Sequence, residues 1–181
     1  MKIIKGDLIK LALEGNFDVI AHGCNCMCTM GAGIAVPMQK EFGCNEGNLF
    51  KMERKKFKGD MNKLGTIEYE LYALGEYEGD LGKGLEASPY MCKNVEWDEG
   101  DLYVVNAYTQ YNYGRNHKDG TGKPIDYAAL ELCMKKINHT FKHKKLGLPW
   151  IGCGLAGGDK QIVAEIFERC LTDVKLTIVE L

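Results

Sequence analysis

A chain of 181 residues, 45% of them hydrophobic and 27% charged, has the composition of one ordinary globular domain and not of a disordered segment. Its formal net charge of −2 excludes a general nucleic-acid binder, which needs a basic surface to displace counterions; the cluster Arg54, Lys55, Lys56 and Lys58 reads as a solvated helix face. No apolar run is long enough to cross a bilayer and the first seven residues hold no signal-peptide core, so the expectation is a cytoplasmic protein, away from membranes, whose eight cysteines stay reduced.

In chain order, Ile3-Ile4 opens as a short strand that stops at Gly6-Asp7, and Asp7 caps a helix over residues 8–14. Residues 18–22 are a short apolar run and read as a buried strand, followed by a loop from Gly23 to Gly33. Residues 34–42 form a helix that Gly43 stops, with Pro37 tolerated in its first turn. A second helix is expected over 45–57. Alternation at Leu64, Ile67, Tyr69, Leu71 and Ala73 predicts a half-exposed strand. Residues 75–100, rich in glycine and acidic groups, read as a surface excursion with a hairpin near Tyr90–Trp97. Residues 102–107 are a second buried strand, and 110–124 a polar loop. Apolar residues at 125, 129, 132, 133, 137 and 141 mark a helix with a core-facing stripe. Residues 148–151 read as a short strand that Pro149 weakens. A loop covers Gly152–Gly158, Ile162, Val163, Ile166, Phe167, Cys170 and Leu171 mark an amphipathic helix, and residues 175–180 close the chain as a strand.

This alternation predicts an α/β layered domain with a mixed or parallel sheet, in which ligands sit beyond the carboxyl ends of the strands. Two glycine-rich loops fall there, each after a strand and before a helix: Thr29-Met30-Gly31-Ala32-Gly33-Ile34-Ala35 and Gly152-Cys153-Gly154-Leu155-Ala156-Gly157-Gly158-Asp159. Glycine lets backbone approach a ligand, and a helix start offers free N–H groups to an anion, so the pair suits a diphosphate. The plainer alternative is two tight turns. Neither loop is a P-loop or a dinucleotide fingerprint.

Asp7 after a glycine, the strand ending His22-Gly23-Cys24-Asn25, and the two glycine loops occur in an order that resembles the macro domain family. Within it the likeness is to the branch of ADP-ribose 1″-phosphate phosphatases and of the hydrolase that removes ADP-ribose from glutamate. The resemblance implies a three-layer fold, a central mixed sheet flanked by helices, over residues 1–181 with an insertion at 75–100. It implies adenine contacts from Asp7 and Leu8, and a distal-ribose contact from Asn25. Backbone contacts to the diphosphate and distal ribose fall to Gly31, Ala32, Gly33, Ile34 and Ala35, and to Cys153, Gly154, Leu155 and Ala156. Leu181 is implied close to the adenosine.

His22 matches the histidine that the phosphatase branch uses, and its ordinary pKa suits proton transfer near neutrality; it is expected to face the crevice. Asp159 is either its catalytic partner or a plain helix cap. The glutamate-specific relative has an aspartate where this chain has Ala156, and a lysine after the strand 102–107 where this chain has Thr109 and Gln110. Lys160 stands where many relatives have a bulky aromatic. The leading expectation is therefore a phosphatase acting on ADP-ribose 1″-phosphate; the alternatives are a binding module for ADP-ribose and, third, a hydrolase acting on modified protein side chains. No cofactor or metal is expected. Cys24, Cys26 and Cys28 after His22 read as small cysteines around the crevice, since structural zinc needs a second ligand pair.

Overall fold

Strands and helices alternate along the chain and close into one six-stranded sheet. The computed structural model describes residues 1–44, 58–72, 101–113 and 122–181. The strands are β1 (Lys2–Lys5), β2 (Val19–Asn25), β3 (Ile67–Tyr72), β4 (Leu102–Gln110), β5 (Lys145–Leu148) and β6 (Lys175–Glu180). The helices are α1 (Leu8–Leu13), α2 (Ala35–Phe42), α3 (Tyr127–Thr140) and α4 (Lys160–Cys170), with a 3₁₀ turn at Met61–Lys63. Across the sheet the strands run β1-β6-β5-β2-β4-β3. All neighbours pair parallel except β3, which runs antiparallel to β4 at one edge.

Strands covered on both faces bury every side chain, so alternate residues of β2 and β4 feed two cores. Val19, Ala21, Val105 and Ala107 pack under α3 and α4, with Leu130, Ile137, Val163 and Phe167. Ile20, Cys24, Val104 and Tyr108 pack under α1 and α2, with Leu8, Met38 and Phe42. Each large apolar side chain buried in this way contributes ~1.5–3 kcal/mol. Three helices begin on a capping aspartate. Asp7 accepts from the N–H groups of Ile9 and Lys10, Asp126 from Ala129, and Asp159 from Gln161 and Ile162. The exception is α2, whose first residue follows Ile34 with no side-chain cap. Gly43 ends that helix in the left-handed region (φ 64°), its N–H bonded to Gln39 O.

The mixed α/β sheet expected from the sequence is what the structure has, with several boundaries moved. β2 runs to Asn25, so Gly23-Cys24-Asn25 is strand and not loop; it pairs with β4, which itself runs on to Gln110. β5 is Lys145–Leu148, ahead of the segment expected at 148–151, because Pro149 lacks the N–H a ladder needs. In α3 the core side is Ala129, Leu130, Cys133, Met134 and Ile137, while Leu132 is half exposed, which shifts the expected stripe by a fraction of a turn. Ile162 of α4 also faces outward. The helix expected at 45–57, the excursion at 75–100 and most of the loop 110–124 lie outside the described residues. Among the described residues no helix is long and apolar enough to cross a membrane.

Candidate functional site

β2 and β5 are neighbours in the sheet, yet the helices that follow them leave to opposite faces: α2 packs against the α1 side and α4 against the α3 side. The two connecting loops therefore part at the carboxyl end of the sheet and leave a crevice, as at any topological switch point. A cavity of about 750 Å³ opens there, within the range of small-molecule sites. One wall is Thr29 and residues 31–35, ending at the uncapped start of α2; the other is Gly152, Gly154, Leu155 and Ala156. The floor is Gly23 and Asn25 of β2 with Thr109 and Gln110 of β4.

Local geometry explains the residues at this floor. A Cβ on Gly23 would lie 2.9 Å from Ile151 Cγ2 and 3.0 Å from Thr109 Oγ1, so any larger residue would have to push those two side chains aside. Gly152 is held at φ 79° against Ile125, which turns the chain sharply out of β5. Asn25 is nearly buried and ties down the first loop. Its Nδ2 donates to Thr29 O (2.9 Å), and its Oδ1 accepts from Thr29 N (3.2 Å) and Oγ1 (3.1 Å).

A second cavity, about 330 Å³, adjoins the first and shares Ile34, Pro149 and Trp150 with it. Leu8, Lys160, Glu180 and Leu181 also line it. Trp150 stacks on Phe167 (6.2 Å between ring centroids, 11° between planes), and the Lys160 ammonium sits 4.8 Å above the Trp150 ring. Trp150 Nε1 (2.5 Å) and Lys160 Nζ (2.6 Å) both donate to Glu180 Oε1, and these two bonds hold the Glu180 carboxyl below the usual carboxylate range.

Of the residues singled out in the sequence, the structure brings Leu8, Asn25, residues 31–35, Gly154, Leu155, Ala156 and Leu181 to the two cavities. Four others lie elsewhere. Asp7 is exposed and occupied in capping α1, although its neighbours Gly6 and Leu8 line the second cavity. Cys153 packs against the α3–α4 core. Asp159 caps α4, its own N–H donates to Tyr127 Oη, and it lines neither cavity.

His22 is the main correction. It was expected to face the crevice; it is wholly buried and lines neither cavity. The parity of β2 is the cause: His22 shares a face with Ile20 and Cys24 beneath α1 and α2, while Gly23 and Asn25 point to the crevice. Its Nε2–H donates to Asn106 Oδ1 at 2.8 Å, and the Cys24 thiol lies 3.8 Å from Nδ1. Burial pushes its pKa down to about 4, so the ring is neutral near neutrality.

The cysteines after it are structural in the same way. Cys24 and Cys26 are buried and Cys28 half-buried, and burial pushes the Cys26 thiol up to about 11. Among the described residues no group of three histidine, cysteine or acidic side chains is placed to hold a metal ion. Tyr108 is buried and donates to Glu68, Tyr111 donates to Gly59 O, and Tyr113, largely exposed, lines the first cavity. Sequence reasoning missed three residues that line the cavities, Pro124 and Trp150 in the first and Glu180 in the second. Glu180 and Gln110 were findable in principle, because each ends a parallel strand.

No protein-family model matches the chain. The uncharacterized 17.5 kDa protein of the tk-vs intergenic region of Enterobacteria phage T4 is 30% identical to it, over 99% of this chain and 96% of that one. Among solved structures, a protein of unknown function from Bacteroides thetaiotaomicron superposes with a TM-score of 0.67 at 22% identity, covering 99% of this chain and 97% of its own. The macrodomain of Thermus aquaticus DarG gives 0.61 at 17% identity, with 99% and 97% covered. Thermosipho africanus DarTG, solved in complex with ADP-ribose, gives 0.61 at 16% identity over all of this chain and 42% of its own. The chain belongs to the family of the phage T4 protein, and its fold is that of the macrodomains.

Proposed function

We propose that the chain binds ADP-ribose, or a derivative such as ADP-ribose 1″-phosphate, along the two joined cavities. The observation that carries this reading is the pair of glycine loops facing each other across the larger cavity, one of them running into a helix start with no side-chain cap. A diphosphate is the anion such a start accepts. Gly31 and Gly154 add to it. Neither has a positive φ, and a Cβ on either would meet nothing within 4 Å. The fold itself does not require glycine there, whereas a ligand lying against bare backbone does. In this reading the distal ribose rests near Asn25 and the nucleoside extends toward Leu8, Trp150 and Leu181. The same fold in the ADP-ribose complex of Thermosipho africanus DarTG supports it.

Binding stands ahead of phosphatase action because the two side chains expected to catalyse, His22 and Asp159, line neither cavity. Among the described residues the polar side chains at the larger cavity are Asn25, Thr29, Thr109, Gln110 and Tyr113. Ala156 brings no carboxylate for release of ADP-ribose from protein. Calorimetric titration with ADP-ribose, AMP and NAD tests the proposal. One-to-one binding of ADP-ribose with AMP at least ~10-fold weaker, a difference of about 1.4 kcal/mol, is expected. No heat at millimolar ADP-ribose would reject it.

A further inference from the structure

The second cavity differs from the first in carrying charge. Its Lys160–Glu180 pair is built from three sides. β6 fixes Glu180 at its last position, where the backbone O accepts from Gly6 N (2.7 Å) and the residue pairs in register with Lys5 of β1. Trp150, stacked on Phe167 and with the Lys160 ammonium over its ring, aims its indole N–H at the carboxylate. Lys160, the first residue of α4, completes the set at 2.6 Å. Both donors converge on the same oxygen, Oε1. Oε2 has no hydrogen-bond partner among the described residues, and the side chain lines the cavity.

A carboxylate oxygen is an acceptor and nothing else. It is satisfied by hydroxyl or amine hydrogens and repelled by another anion. Lys160 does not reverse this at the open oxygen, because its ammonium is directed at Oε1, 2.6 Å away, and an anion brought against Oε2 faces the carboxylate itself.

We infer that Glu180, positioned by Trp150 and Lys160, is a specificity-determining residue that accepts a hydrogen bond from the free ribose hydroxyls of the ligand's nucleoside and so rejects ligands phosphorylated on that ribose. This rests on the ADP-ribose reading above and names the subclass of ligand within it: diphosphate sugars whose nucleoside ribose keeps both hydroxyls, as NAD would yield, and not the 2′-phosphorylated forms that NADP would yield. The opposite assignment, in which Lys160 swings away from Glu180 to grasp a phosphate, leaves the Glu180 carboxylate facing that phosphate and gives up the ring contact with Trp150.

The test is a calorimetric comparison of ADP-ribose with 2′-phospho-ADP-ribose on the wild-type protein and on Glu180→Gln, whose amide keeps an acceptor for Trp150. The wild type is expected to favour ADP-ribose by ~10-fold or more, the scale of a hydrogen bond to a charged group. Glu180→Gln is expected to bring the ratio within ~3-fold, mainly by improving the phosphorylated ligand, because the facing carboxylate loses its charge and the Lys160 ammonium is left without its counter-charge. Equal affinity on the wild type, or tighter binding of the phosphorylated ligand, overturns the inference while leaving ADP-ribose binding intact. An unchanged ratio in Glu180→Gln, with a thermal melt like the wild type, also overturns it. If neither ligand binds the wild type, the ADP-ribose reading falls and takes this inference with it. The wild-type comparison needs no variant to fold.

Discussion

The two faces of β2 have opposite fates within four residues. On the face under α1 and α2, His22 and Cys24 are sealed among Ile20, Met38 and Tyr108, and His22 satisfies its ring against Asn106. On the other face, Gly23 and Asn25 form the floor of the larger cavity. One face holds a polar group where it can only stabilise; the other keeps small or amide residues where a ligand can reach. Chemistry-capable residue type and chemistry-capable position are separable here. The histidine has the reactivity and lacks the access, while Asn25 has the access without the ability to titrate.

The largest expected effect falls on the sealed face. His22→Ala removes a buried ring and strands Asn106, so it should cost ~3 kcal/mol of stability by chemical denaturation, yet leave ADP-ribose affinity and any turnover of ADP-ribose 1″-phosphate unchanged at a temperature where the variant is folded. A variant of wild-type stability with turnover abolished would break the comparison and restore His22 as a catalytic group.

The same face predicts a pH dependence. His22 titrates near 4 when folded and near 6.5 when unfolded, so between those values the unfolded chain binds the extra proton. Its contribution is complete above about pH 6.5 and is lost as pH falls toward 4, by ~3 kcal/mol in all. His22→Gln, which keeps a donor for Asn106, should flatten that part of the stability profile. An identical slope in both proteins would show that His22 is not buried neutral.

The cavity face responds differently. Gly154→Val and Gly31→Val place a side chain in space the empty protein leaves open, so the melting temperature should hardly move. ADP-ribose affinity should drop by ~100-fold, equivalent to about 2.7 kcal/mol. Affinity kept in both variants would place the ligand elsewhere. The smallest effect is at Asp159: Asp159→Ala loses the α4 cap and ~1 kcal/mol of stability, with binding unchanged.

Much of this was legible in the sequence because local chemistry determines it. Asp7 reads as a cap and Asp159 as a cap or a catalytic partner, and both cap their helices; Gly43 reads as a stop and adopts the left-handed conformation, and the two glycine loops fall where strands hand over to helices. What stayed hidden depends on partners distant in sequence. Gly23-Cys24-Asn25 looks like loop and becomes strand only because Ala107, Tyr108 and Gln110 offer it a ladder. The facing of His22 was not readable, since a parallel strand covered on both sides has no polar face to set its parity. The Trp150–Lys160–Glu180 cluster joins residues up to 30 positions apart through the β5–β6 pairing and the return of α4, and no spacing rule encodes it.

The most direct test is a heteronuclear NMR titration of the protein with ADP-ribose. The account predicts the largest amide shifts at residues 31–36 and 152–156, a smaller set around Leu8 and Glu180, and unchanged imidazole signals for His22. Shifts that spare both glycine loops, or a His22 ring that titrates with the ligand, would contradict it.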